Sequence, residues 1–575
     1  MPQAASQRTG QPAMIEAPGL IRSRLRAPPD AARRGTRWPL TPDTRRILVC
    51  CLLLVAAPFL TAPGNLIADT KFDLAIAPVR FLARALHLWD PQQFGTLQDQ
   101  AAGYLFPMGP FFALGHLAGL EPWVIQRLWI GTVGAAAFLG TVRLADRLGI
   151  GSPWSRIAAG FGYAASPAAL TLIGGLSSEF LPAAMLPWIL LPLVSAAHGT
   201  GRVRAAARSA VAVACCGGIN AAATLAVCVP AVLYLLTLPR PAPRWRILAW
   251  WFPAVAAATW WWTVPLVLLS RYGVSILPYT ESAAVTTSVT SLSNALRGTG
   301  NWVSYLLVNG QPWWRLGHWI ATGTVPVLLT GLAAGLGLAG LLRPRLPARR
   351  FLLCLLLTGL LLTCAGHVTG LGNPLAEPVQ QLINGPAAAL RNVRKFDPLI
   401  RLPLVLGLAH LLASVRLPRP RAVLAAAAAL AIGGLALPAY IGGLAVAGDF
   451  RQVPPYWVSA ANWLNRHAGR QAVLVVPGAA FGQYLWGSPL DDVLQPLTSA
   501  DWAERDLSLI GSPGNERLLD AIDQRLAAGA GSAALTQVLA RMGVRYVLVR
   551  NDLARPGGSC FACCSPACSS CVPAT

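Results

Sequence analysis

About eleven strongly apolar stretches, joined by connections that alternate between short arginine-rich loops and longer aromatic-rich ones, constrain this chain more than any motif does. A helix needs about 20 apolar residues to cross the hydrocarbon core of a bilayer, and fewer where flanking side chains snorkel. Qualifying segments begin near Ile47, Pro122, Ser155, Glu179, Arg208, Ala222, Ile247, Trp319, Arg350, Pro398 and Ala422. With 54% hydrophobic and only 12% charged residues over 575 positions, one soluble core cannot hide the apolar surface. The fold class expected is an α-helical polytopic membrane protein with about eleven transmembrane helices.

The formal charge of +23 does not point to nucleic acid. A nucleic-acid footprint gathers cations on one soluble face, whereas here they sit around Arg143 and Arg147, Arg202 and Arg204, Arg240 to Arg246, Arg343 to Arg350, and Arg416 to Arg421. These loops fall on alternate turns, as cytoplasmic loops do under the positive-inside rule. The expected topology therefore has the N-terminus inside and, after an odd number of spans, everything beyond about Gly448 outside. Residues 1–46, rich in Arg, Pro and Ala, read as a disordered cytoplasmic tail. The run Ile47 to Ala62 reads as a retained first span, since its basic lead is too long for a signal peptide.

Residues 47–448 form the expected membrane domain, with outward segments 63–121, 270–318 and 368–397 that hold most of its acidic residues. Trp260, Trp261, Trp262, Trp302, Trp313, Trp314 and Trp319 fall near the outer boundary, where an interfacial belt competes with sugar or lipid contact as their role. Residues 449–555 change to a soluble pattern. There "QAVLVVPG" and "VRYVLVRND" read as buried strands of a mixed sheet, and "ERLLDAIDQRLAAG" and "ALTQVLARMG" as helices. Seven of the 12 cysteines lie in apolar segments and imply no disulfide framework. The other five crowd residues 556–575, where a zinc site competes with a degenerate end.

Two clusters could carry chemistry. In "NLIADTKFDLAIAP", Asp69, Lys71 and Asp73 follow the first span directly. If helical, the segment puts both carboxylates on one face. The next residues, "LAIAPVRFLARALHLWD", have an apolar side (Phe81, Leu82, Ala85, Leu86, Leu88, Trp89) and a basic one (Arg80, Arg84, His87), as in a helix lying in the outer leaflet where it could position a lipid phosphate. The alternative is that the acids cap a helix and keep the loop solvated. In "LRNVRKFDPLIRLP", Arg391, Arg394, Lys395, Asp397 and Arg401 break the positive-inside pattern. An anionic ligand would explain them, and so would an ion pair of Lys395 or Arg394 with Asp397. Glu179, at an outward helix start, reads as a cap or as a substrate ligand. No Walker loop, dinucleotide fingerprint, H-E-x-x-H or G-x-S-x-G in a plausible context is present, so nucleotide-driven chemistry has no support.

The carboxylate in the first outer loop, the amphipathic segment after it and the span count resemble GT-C type glycosyltransferases that use polyprenyl-phosphate sugars. More narrowly, "ADTKFDLAIAPVRFLARALHLWDPQQFGTLQDQAAGYLFPMGPFFALGHLAGLEPWVIQRLW" and "LRNVRKFDPLIRLPLVLGLAHLL" are similar to the N-terminal membrane domain of the actinobacterial alpha-(1→3)-arabinofuranosyltransferase family. The similarity runs from the first span to "YVLVRND". It implies transfer of arabinofuranose from decaprenyl-phosphoryl-arabinose to cell-wall arabinan, with inversion, on the outer face of the plasma membrane.

By the same resemblance Asp69 is the catalytic base. Arg394 and Lys395 are the first candidates to stabilise the phosphate, with Arg391 and Lys71 behind them and Asp73 and Glu179 as substrate ligands. No metal is required, although some GT-C enzymes use a divalent cation. Family members are longer, so the chain is expected to be truncated, its "SCFACCSPACSSCVPAT" end resembling a shifted reading frame. Two other classes remain: a lipid-linked sugar transporter, disfavoured because the spans lack ionisable residues at mid-depth, and an inactive lipid-binding homologue.

Overall fold

The computed structural model describes residues 42–554 apart from 99, 197–200, 240–242, 276, 278–279, 309, 371 and 507–510. The expectations for the basic N-terminal tail up to residue 41 and for the Cys-rich segment 556–575 lie outside the described residues. The chain is mostly helical, and six helices are long and apolar enough to cross a membrane: Pro122–Arg147, Ser177–Ala196, Arg244–Tyr272, Thr324–Leu342, Val393–Ser414 and Pro418–Gly443. At the other five expected positions stand the shorter helices Pro42–Ala56, Pro153–Ala164, Arg202–Ala214, Ala221–Thr237 and Arg349–Cys364. The stretch from Ser155 is not one rod. Ser166 caps a new helix, Pro167–Ile173, and proline at its first position cannot continue the helix before it.

Packing in the membrane part relies on small residues. The helix Thr324–Leu342 lies against Asp397–Ser414 so closely that a Cβ on Gly340 would run into the carbonyl of Gly407, and one on Gly407 into the carbonyl of Gly337. Without a hydrophobic drive between helices in lipid, such close approach supplies the attraction. All seven cysteines among the described residues are free.

The region after Gly448 contains a three-stranded parallel sheet in the order Trp502–Glu504, Ala472–Val476, Val544–Val549, with helices Pro455–His467, Pro513–Ala527 and Ala533–Arg541. The expected mixed sheet is thus all parallel, and the antiparallel pair Gly482–Tyr484 with Gly487–Leu490 stands apart from it. Parallel strands need crossover connections: the two predicted helical segments both lie in the one from Trp502–Glu504 to Val544–Val549, while the one from Ala472–Val476 to Trp502–Glu504 carries the hairpin and the short helix Leu494–Leu497.

The first outer loop differs most from expectation. Instead of one amphipathic helix it forms Phe72–Ile76, then Pro78–Ala85, then a short hairpin pairing Trp89–Asp90 with Thr96–Leu97. Pro78 enforces the break, since the residue before a proline is pushed out of the helical region. Nor does the basic side face headgroups. Arg80 donates to the carbonyls of Pro496 and Thr498, and Arg84 donates to Asp73, Asp90 and Gln98. Phe81 and Ala85 are buried in protein, while Leu86, Leu88 and Trp89 remain exposed. The loop therefore docks on the α/β region. The tryptophans also divide: Trp260 is exposed, as a belt residue would be, but Trp262, Trp302 and Trp314 are buried.

Candidate active site

Asp69 lies in the turn before the helix Phe72–Ile76, so it and Asp73 do not share a helix face. Its surroundings are built by the end of the span Pro122–Arg147. Arg127, fully buried, donates to the carbonyls of Thr61, Ala62 and Asn65, and Gln126 exchanges two hydrogen bonds with the backbone of Ile67. These bonds fix the path of residues 61–67 and deliver Asp69 to the first residue of the helix Ser177–Ala196. There the Ser177 N–H donates to Oδ1 and its hydroxyl to Oδ2, at 2.5 Å, while the indole of Trp129 donates to the Ser177 oxygen at 3.0 Å. Asp69 is thus a cap supplied from another segment, occupying an end where the helix dipole favours an anion. Burial pushes its carboxyl up to about 6, against the lowering effect of the Ser177 bonds and of Arg127.

Asp73 is also buried and its carboxyl is likewise pushed up to about 6, by loss of water, with Arg84 opposing. Arg84 bridges Asp73 and the fully buried Asp90. Lys71 reaches across to Asp491 at 2.9 Å, and the Phe72 N–H donates to the other oxygen of the same carboxylate at 2.8 Å. Asp73 and Lys71, expected as substrate ligands, therefore already have protein partners. Arg391 is similarly engaged: it donates to the carbonyls of Ile383, Glu281 and Asn384 and to the Thr280 hydroxyl, tying the second outward segment to the third.

A different group is left with free valences. A cleft is lined by Tyr163, Glu179, Arg394, Lys395, Asp397 and Arg401, drawn from three helical segments. Arg394 pairs with Glu179 at 2.8 Å, yet Glu179 Oε1 and Arg394 Nε are both buried without a partner. Arg401, not Lys395 or Arg394, takes Asp397, at 3.0 Å one turn along the same helix. The Lys395 side chain makes no hydrogen bond or ion pair among the described residues. Buried polar atoms are nearly always paired in folded proteins, so orphans gathered around one cleft mark a place where a polar ligand belongs. The cavity is small, about 40 Å³. At roughly 10–15 Å³ per water it admits a few solvent molecules, and a sugar phosphate enters only if it opens.

Asp69 does not line this cleft, but the two are joined through one helix end: Asp69 holds Ser177, and Glu179 stands two residues further on. Sequence reasoning missed Arg127, Gln126, Trp129, Ser177 and Asp491. Ser177 carried a signal, a serine opening an apolar run. The others bond to residues tens to hundreds of positions away and carried none.

The alpha-(1→3)-arabinofuranosyltransferase N-terminal GT-C domain model matches residues 53–561 of this chain. The chain is 43% identical over 542 residues to an alpha-(1→3)-arabinofuranosyltransferase of Mycobacterium tuberculosis (strain ATCC 25618 / H37Rv), covering 89% of itself and 38% of that relative. To the protein of the same name from Mycolicibacterium smegmatis (strain ATCC 700084 / mc(2)155) it is 42% identical over 515 residues, covering 86% of itself and 36% of the relative. A cryo-EM structure of arabinofuranosyltransferase AftD from Mycobacteria superposes with a TM-score of 0.73 at 39% identity, covering 89% of this chain and 35% of that one. The chain spans little more than a third of the length of these relatives.

Proposed function

Because the chain belongs to the alpha-(1→3)-arabinofuranosyltransferase GT-C domain family, we propose that it transfers arabinofuranose from decaprenyl-phosphoryl-arabinose to cell-wall arabinan, forming an alpha-(1→3) branch with inversion. In this reading eleven helices cross the plasma membrane, the N-terminus is inside, and the cleft and the α/β region face outward. The observation that carries the reading is the cleft of unpartnered polar atoms, with Lys395 uncommitted and Arg394 only partly used.

The chemistry then needs three things. The acceptor oxygen attacks the anomeric carbon while its proton passes to a base. The bond from that carbon to the phosphate oxygen breaks, and the phosphate departs with the electron pair from the opposite face. Cations stabilise the charge it gains. Asp69 is the base: with its carboxyl pushed up to about 6 it is ionised at neutral pH yet accepts a proton more readily than a surface aspartate. Arg394 and Lys395 receive the phosphate. Since the cavity must open, the contact to break is Glu179–Arg394: phosphate replaces carboxylate on the guanidinium, and Glu179 is released toward sugar hydroxyls. Lys71, Asp73 and Arg391 keep the outer segments in place. A phosphate monoester already leaves readily, so the reaction needs no metal, and transfer that persists in EDTA is the expected result.

A second reading has one observation in its favour: Glu179 lines the cleft and has an unpartnered oxygen, whereas Asp69 has neither property. Under it, Glu179 takes the proton and Asp69 only caps the helix. Labelled arabinose transfer from the decaprenyl donor to a synthetic arabinan in membranes separates the two. The first reading expects Asp69→Asn to lower kcat by about 10²–10⁴-fold and to abolish a rise of kcat/KM through pH about 6. Near-normal transfer by Asp69→Asn, with its loss in Glu179→Gln, selects the second. Donor binding without transfer by the unaltered chain would identify an inactive lipid-binding homologue, and vectorial movement of donor without transfer a transporter.

A further inference from the structure

A second, more open cavity lies at the start of the described chain. Between the first turns of Pro42–Ala56 and Pro153–Ala164 runs a groove of about 530 Å³, lined by Arg45, Arg46, Val49, Cys50, Trp154 and Ile157. We propose that it holds one anionic phospholipid, the headgroup on Arg45 and Arg46 and an acyl chain against Val49, Cys50 and Ile157.

Three observations favour that occupant. The walls below the arginines are apolar and open, with Val49 47% and Trp154 59% exposed, and Leu52 and Leu53 continue the exposed surface along the same helix. A small soluble anion would leave this wall wet. The cations are presented rather than consumed: the Arg45 side chain makes no ion pair or hydrogen bond among the described residues, and Arg46 lies over the Trp154 ring at 4.5 Å while pairing with the half-exposed Asp43 at 2.9 Å. The neighbouring Arg156 is neutralised by Asp146. Finally, the helix Pro153–Ala164, of 12 residues, begins at this place, so its dipole adds positive potential at the headgroup position. Among the described residues Asp43 is the sole carboxylate facing the arginines, and two guanidinium groups outnumber it. Basic pockets between spans at a membrane surface bind lipid headgroups on this same physical basis.

The proposal is independent of the transfer reaction and is tested without it. The full chain is purified in a neutral detergent, and the affinity of fluorescent phosphatidylglycerol is compared with that of phosphatidylcholine carrying the same label. The expected result is preference for phosphatidylglycerol, reduced about 25-fold in Arg45→Ser/Arg46→Ser, since each arginine at a membrane surface contributes about fivefold. Arg45→Lys/Arg46→Lys, which keeps the charge, should retain most of the preference, and Arg349→Ser/Arg350→Ser, which removes two exposed arginines elsewhere, should retain all of it. Equal loss in the two serine pairs would mean diffuse surface charge and overturn the site. So would displacement by glycerol 1-phosphate at matching concentration, which would make it a soluble-anion site. Binding seen only after removal of residues 2–41 would show the preceding segment to be the occupant and equally overturn it.

Discussion

The first outer loop and the cleft at the head of Asp397–Ser414 have similar charges and opposite treatment of them. In the loop, Asp69, Lys71, Asp73, Arg80 and Arg84 are each tied to a protein group. In the cleft, Glu179 and Arg394 each keep an unpaired atom, and the Lys395 side chain has no hydrogen bond or ion pair among the described residues. A paired, buried charge is costly to break and rigid. An unpaired one is costly to keep and meets its match in a ligand. On the proposed reading, the difference separates charges that hold the loops together from those that receive a substrate, and Asp69 is where the two roles meet, because the helix it caps carries Glu179.

The sharpest test of the contrast is Lys395→Met. Transfer should fall about 10²–10³-fold, the loss expected for one electrostatic contact to a developing charge, while the thermal midpoint in detergent stays level or rises. A fall in both would mean that Lys395 is structural and the contrast false. Next in size, Arg84→Met leaves Asp73 and Asp90 buried without their cation. It should destabilise the chain by about 3–5 kcal/mol, seen as early unfolding and as protease cleavage around residues 86–98. Lys71→Met should cost less, about 1–2 kcal/mol for one partly exposed charged hydrogen bond, and show as faster hydrogen exchange in the strand pair flanking Asp491.

A further test concerns pH. Asp69 and Asp73 have folded carboxyls at about 6, above the ordinary value of 3.8, so the native state binds more protons than the unfolded one between those limits. Stability should therefore fall as pH rises from about 4 to 6 and level off above. Asp73→Asn should flatten that slope without removing the rise in kcat/KM through the same window. If it removes the rise, Asp73 and not Asp69 is the titrating base.

How much of this could be read from residue order follows from the range of each interaction. A helix stands at each position where the apolar period called for one, because hydrophobicity and proline placement are local properties. Arg394 and Lys395 stand out in the sequence because they break the positive-inside pattern, and Glu179 because it opens an outward helix. The distinction between Lys395, left open, and Arg391, consumed by carbonyls of Ile383 and Glu281, was not available. It depends on loops that meet only after folding. The same holds for Lys71, whose partner Asp491 lies 420 positions away. The outer loop was misplaced for another reason: its amphipathic pattern is real, but a protein surface satisfies such a pattern as well as a membrane surface does, and Arg80 and Arg84 found carbonyls and carboxylates where headgroups were expected.

The contact between Gly340 and Gly407 limits how a sequence like this one can change. Gly407 lies about 15 Å along the helix from Asp397 at 1.5 Å per residue, so a shift there carries Lys395 and Asp397 with it. Most steric conflicts between helices can be undone by a second mutation that trims the opposing side chain. Here the opposing groups are main-chain carbonyls, which no codon can shorten. A larger residue at either glycine has no compensating partner, and restoring the cleft would require reverting the change or resetting the whole helix.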